Sequence, residues 1–176
     1  MRRWTIALLL LLSACVSGLR GLKIRGEGPY DTWQEGTAFI IAPNRLMTAA
    51  HVYTPGMAWD VDGHPATWNF AVLADGPEGH ADLAVIQADV GGVLVEIGTA
   101  DPDRDIQILT PRGTLTGRCA GEDLYCVRPR LQHGDSGSPV VQDGKLVGVV
   151  WGMASENDGT SGKCVSGRML HAFLGR

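Results

Sequence analysis

The chain has 176 residues, a formal net charge of −4, and 44% hydrophobic against 19% charged residues. That length suits one core or two small ones. An acidic balance without a block of lysine or arginine excludes a phosphate-rich partner such as a nucleic acid, and the absence of C-x-x-C or H-x-x-x-H spacing leaves no expected metal site or cofactor.

Met1-Arg2-Arg3 is a basic start, and Trp4 to Leu12 is an apolar run too short to span a bilayer as a mature helix. It ends in Leu12-Ser13-Ala14-Cys15, which resembles a bacterial lipobox. On that reading residues 1–14 are a signal peptide and Cys15 carries a diacylglycerol. The alternative is an ordinary secretory signal cut near Ala14 or Gly18, with Cys15 incidental. Either reading exports the chain. The expected location is the cell envelope, as an outer-membrane or cell-surface lipoprotein, and otherwise the periplasm or the medium. Loss of the leader also removes Arg2 and Arg3, which makes the mature chain more acidic. Residues 15–29, rich in Gly and Arg, read as a tether to the anchor, part of which can pair as a first strand.

From Thr32 a β pattern begins. Phe39-Ile40-Ile41 reads as a buried strand, Ala42-Pro43-Asn44-Arg45 as a turn, and Leu46-Met47-Thr48 as the return strand that delivers His51. Turn signals at Pro55-Gly56, Asp62-Gly63 and Gly76-Pro77 enclose short strands such as Thr67 to Val72. Leu83 to Gln87 is a further buried strand with Asp82 at its start. Gly91-Gly92 marks the passage to a second half. Punctuation every 8–12 residues, with no long stretch of helical period, argues an all-β chain. Arg168 to Leu174 is the one helix candidate.

Further along, Gly134-Asp135-Ser136-Gly137 holds a serine between glycines, ahead of the strand-like Val140-Val141. Glycine there permits positive φ and close approach of another molecule. A serine so presented has backbone N–H groups beside it, which is what acyl transfer needs: a nucleophile, and donors for the developing oxyanion. Thr48-Ala49-Ala50-His51 and Asp82-Leu83-Ala84-Val85 lie upstream, giving the order His, Asp, Ser. His51 suits a general base near neutral pH. Asp82 suits the group that orients it, and Asp75 and Asp89 lack the following Leu-Ala-Val strand.

Five motifs in order carry a resemblance across residues 36–152: Gly36 to Pro43, Leu46 to His51, Asp82 to Ile86, Gly134 to Pro139, and Leu146 to Gly152. Together they resemble the trypsin-like (chymotrypsin-fold) serine proteases of the small bacterial and viral type. The resemblance implies two packed antiparallel Greek-key β-barrels, over residues 30–92 and 93–176, with a short C-terminal helix in the second. It implies a catalytic triad of His51, Asp82 and Ser136, and an oxyanion hole from the N–H groups of Gly134 and Ser136. Expected substrate contacts are Arg130, His133, Val150, Trp151 and Gly152. Arg130 either lies at the base of the pocket or points to solvent, as arginines mostly do.

The chain departs from that family in places. Val150 stands where animal members carry a serine that supports the aspartate, so Asp82 needs another donor. No Ile-Val-Gly-Gly amino terminus exists to pair with Asp135. Arg128, Arg130 or a main-chain donor is the expected substitute, and the oxyanion loop is expected to form without proteolytic maturation. Cys119 and Cys126 flank a polar hairpin tip and can pair as a disulfide in an oxidising compartment, which leaves Cys164 over, buried or paired in place of one of them. The expected function is an exported serine endopeptidase, a monomer acting on peptide or protein substrates and held at the membrane by its lipid anchor. The competing expectation is a catalytically idle protease fold serving as a surface binding or structural module.

Overall fold

The computed structural model describes residues 19–76, 79–120, 125–127, 130–154 and 161–175. Strand β1 (Leu22–Glu27) alternates buried and exposed side chains along its whole length, the period-two pattern of a sheet with one face on the core. It pairs antiparallel with β2 (Trp33–Ala42), Lys23 opposite Thr37 and Glu27 opposite Trp33. Part of the stretch 15–29 therefore pairs as a first strand, as its sequence allowed. Its second half is built into the first barrel, because Leu22 and Ile24 are fully buried hydrophobics that need a core.

The turn after β2 has Asn44 at φ 56°, a left-handed conformation that asparagine tolerates better than most residues. It leads to β3 (Arg45–Thr48), then to β4 (Ala58–Val61), β5 (His64–Gly76) and β6 (Gly79–Ala88). Hydrogen bonding closes these six strands into a barrel in the order β1-β2-β3-β6-β5-β4. Six more strands follow among the described residues: β7 (Asp105–Thr110), β8 (Gly113–Ala120), β9 (Tyr125–Val127), β10 (Pro139–Gln142), β11 (Lys145–Ala154) and β12 (Ser161–Ser166). They close a second barrel in the order β10-β11-β12-β9-β8-β7. Helix α1 (Gly167–Leu174) ends the chain's described part. Ser166 Oγ accepts from the Met169 N–H at its start, and Gly175 closes it in the left-handed region.

Three buried clusters hold this arrangement. One fills the first barrel around Leu22, Ile24, Leu46, Val61 and Ile86. Another fills the second around Ile106, Ile108, Val140, Val147 and Val150. The third joins the barrels, setting Phe39, Met47 and Leu83 against Val141, Val149, Val165 and Leu170 of α1. This shared core places the end of β3 and the start of β10 on the same side of the molecule.

Candidate active site

Strand pairing brings the first two candidate residues together. β3 runs antiparallel to β6 with Thr48 opposite Ala84, so the chain just beyond Thr48 lies beside the residues just before Ala84. Ala50–Val52 forms a single 3-10 turn there, and it turns His51 onto Asp82. The His51 N–H donates to Asp82 Oδ1 at 2.8 Å, while the ring Nδ1 meets Oδ2. Asp82 is 2% exposed. The donor that Val150 cannot supply thus comes from the backbone of His51 itself, so the carboxylate grips the ring and the peptide that carries it. Beyond the turn, Tyr53 packs on Trp68 with ring centroids 4.9 Å apart, and Trp59 meets Trp68 edge-on at 5.2 Å. This aromatic cluster anchors the segment that follows the histidine.

Ser136 lies on a loop cross-linked to the first barrel. The Thr37 N–H donates to the Ser136 carbonyl at 2.7 Å, and Thr37 Oγ1 donates to the Gly134 carbonyl at 2.7 Å. Gly137 sits at φ +88°, and a methyl in place of its hydrogen would fall 2.0 Å from Thr37 O and 2.4 Å from Thr48 Oγ1. Only glycine permits that approach. It sets the nucleophile loop against Thr48 and Ala49, immediately before His51. Among the described residues no hydrogen bond joins Ser136 Oγ to the ring, a geometry that commonly tightens only when substrate is bound. The N–H groups of Gly134 and Ser136 find no acceptor among the described residues, whereas those of Asp135, Gly137 and Ser138 are all taken. Two such donors therefore flank the serine.

Asp135 is 2% exposed and has a cation that the sequence did not suggest. Arg112, in the turn between β7 and β8, donates from Nε to Oδ1 at 3.1 Å and from Nη2 to Oδ2 at 2.5 Å. Nη2 also donates to the Arg130 carbonyl at 2.8 Å, and the Gln132 N–H reaches Oδ2 at 2.8 Å. Donating to the Asp135 carboxylate raises the Arg112 pKa above its ordinary value. The expected internal substitute for an inserted amino terminus is therefore present, but it is Arg112. Arg130 takes part only through its carbonyl, and Arg128 lies outside the described residues.

The expected substrate contacts separate. Val150 turns into the second barrel's core at 2% exposure; its N–H and carbonyl are bonded to Ser138 and Gly137. Its side chain is taken up by that core and does not face a peptide. Trp151 packs where the barrels meet, with Lys163 Nζ 5.2 Å from its ring centroid. Gly152 is followed by open space where a side chain would be. Arg130 and His133 are exposed. His133 lines a cavity of about 150 Å³ with Lys23, Glu35, Gly36, Arg112 and Gly134. The strand register sets Cys119 opposite Cys126, and Cys119 and Cys164 share the second barrel's core. Cys15 and the leader lie outside the described residues.

The two barrels, with His51 and Asp82 on one and the serine loop on the other, define a chymotrypsin-like serine protease fold. No protein-family model matches the chain. The chain is similar to the Mycobacterium tuberculosis serine protease Rv3671c of strain H37Rv and to serine protease MT3772 of strain CDC 1551. It is 28% identical to each over 163 residues, covering 77% of this chain and 41% of the relative. It thus spans about two-fifths of the length of those curated relatives. Among solved structures, the active form of the Rv3671c protease superposes with a TM-score of 0.67 at 22% identity, covering 98% of this chain and 86% of that one. An HtrA-type protease solved with a tripeptide gives 0.68 at 19% identity, covering 93% and 61%.

Proposed function

We propose that this chain is an exported serine endopeptidase that hydrolyses peptide bonds through an acyl-enzyme. The observation that carries the reading is the pair of N–H donors at Gly134 and Ser136 left without an acceptor among the described residues, on a loop braced by Arg112 and set beside a solvent-accessible His51 held by the buried Asp82. His51 takes the proton of Ser136 Oγ as the oxygen attacks the carbonyl carbon. Asp82 keeps the ring in one tautomer and stabilises the imidazolium. The developing oxyanion receives the two N–H groups, each worth on the order of 3 kcal/mol in such sites. His51 then returns the proton to the leaving amine. Water, deprotonated by the same ring, cleaves the acyl-serine ester. The open space over Gly152 leaves room for the peptide on the acyl side, with Trp151 beneath it.

Similarity to serine proteases supports the class of reaction. The lipobox-like leader supports export and anchoring through Cys15, and the facing positions of Cys119 and Cys126 support a cross-strand disulfide in that compartment. The test is covalent labelling by a fluorophosphonate probe. Wild-type protein should label at a single serine, and Ser136→Ala should not label while unfolding at the same temperature. Folded wild-type protein that resists the probe would refute the reading in favour of an idle binding module.

A further inference from the structure

The loop joining β1 and β2 is built to hold one aromatic side chain in solvent. Tyr30 is 97% exposed. It sits at φ 60°, ψ 39°, and Asp31 follows at φ 56°. Two consecutive non-glycine residues in the left-handed region are unfavourable and persist only where the surroundings impose them. Here three hydrogen bonds do so: the Gly28 N–H to the Thr32 carbonyl at 2.9 Å, the Thr32 N–H to the Pro29 carbonyl at 3.4 Å, and Thr32 Oγ1 to the same carbonyl at 2.8 Å. A second ring, Trp33, stands at the base of this loop with 60% exposure.

The strand that leaves this tip leads to the nucleophile. Side chains at 33, 35 and 37 share one face of β2. Thr37 is bonded to Gly134 and Ser136, and the Glu35 carboxylate lies 3.2 Å from where a Gly134 side chain would begin. Trp33 is four residues from Thr37, about 13 Å of strand at about 3.3 Å per residue. The acyl side of a bound peptide is served by Gly152 on the other barrel. A leaving side running away from Gly152 would pass Glu35, which lies beside Gly134 and is paired with Lys23 at 2.8 Å. An extended chain following that face reaches Trp33 and Tyr30 about three to five residues past the scissile bond.

We propose that Trp33 and Tyr30 form an outlying recognition edge for apolar or aromatic side chains about three to five residues beyond the cleaved bond of a polypeptide substrate. Exposed rings of this kind also suit a lipid interface, but Glu27 and Asp31 flank them, and carboxylates there oppose an anionic bilayer. The inference rests on the acyl-enzyme reading, and one assay separates the two. An activated ester acylates Ser136. An added peptide amide then competes with water: its α-amine attacks the acyl carbonyl, the ester bond to Ser136 breaks, and Oγ recovers a proton through His51. The ratio of aminolysis to hydrolysis reports binding on the leaving side alone.

With the full chain, Ala-Gly-Tyr-Leu-Tyr amide should outcompete Ala-Gly-Ser-Gly-Ser amide about tenfold, as expected of an aromatic anchor. Tyr30→Gly, which suits its φ, and Trp33→Thr, which suits a strand, should bring the double variant's preference within about twofold. A wild-type chain that does not discriminate, or a double variant that still does, overturns the edge while leaving the protease intact. No ester turnover by the wild type overturns the protease reading and this inference with it. Loss of phosphatidylglycerol-vesicle binding in the double variant, with no peptide preference in either protein, assigns the rings to a membrane and overturns the inference.

Discussion

Arg112 offers the sharpest test of how the serine loop is held. Arg112→Met keeps the aliphatic stem and removes the charge. The Asp135 side chain is 3% exposed and would lose two of the three hydrogen bonds it accepts from described residues, keeping among these the one from the Gln132 N–H. Removing one partner of a buried pair costs about 3–5 kcal/mol. The Arg112 side chain is 40% exposed, so water screens part of that, and about 2 kcal/mol is the working figure. Borne by the loop alone, this lowers the population of the formed oxyanion site by at most about 30-fold. The assay is kcat/KM for a small ester, read beside fluorophosphonate titration and thermal unfolding. Adding Asp135→Asn removes the orphaned charge and should recover part of the lost activity. The arginine's raised pKa means its contribution is complete below its ordinary range and is lost only above it, so no alkaline decline near pH 9 should trace to this pair. An Arg112→Met protein keeping more than half the wild-type kcat/KM would refute the argument.

Asp82→Asn should cost roughly 10⁴-fold in kcat by leaving the wrong histidine tautomer; more than a tenth of the wild-type rate would mean that another aspartate does the work. Gly137→Ala should fail to fold, or melt far below wild type, because its methyl has no space beside Thr37 O and Thr48 Oγ1 at φ +88°; an unchanged melting temperature would contradict the packing. Chains beginning at Val16 and Gly21 should hydrolyse an ester at equal rates, since Arg112 and not a new amino terminus neutralises Asp135. One beginning at Ile24 should be less stable through loss of the buried Leu22, and higher activity confined to it would revive the insertion switch. Cys15→Ser should abolish metabolic labelling by a fatty-acid analogue, and persistent label would remove the lipobox assignment.

Much of the architecture was legible because buried strands stand in the sequence as short apolar runs bounded by turn residues. Phe39 to Ile41, Leu46 to Thr48 and Leu83 to Gln87 lie within β2, β3 and β6, and the short terminal helix begins one residue before Arg168. The nucleophile loop was legible for a related reason: glycine on both sides of a serine is a local signature of a backbone that must come close to something. The start of the first barrel was less so. Leu22 to Glu27 alternates hydrophobic and polar residues only briefly, and its glycine and arginine content reads equally as a tether until β2 and β4 pair with it.

The residues that no local pattern announces were decided in three dimensions. Sequence alone determined two β-rich halves, and His51, Asp82 and Ser136 as the candidate residues, because each sits in a short motif whose backbone demands are local. Tertiary structure alone brought Arg112 to Asp135, since this partner comes from a turn 23 positions away. It also supplied the missing donor to Asp82 from the backbone of His51, and it turned Val150 inward. Charge pairing and donor supply depend on where separate loops converge, and that convergence is set by the barrels' closure and their shared core, not by any run of neighbouring residues.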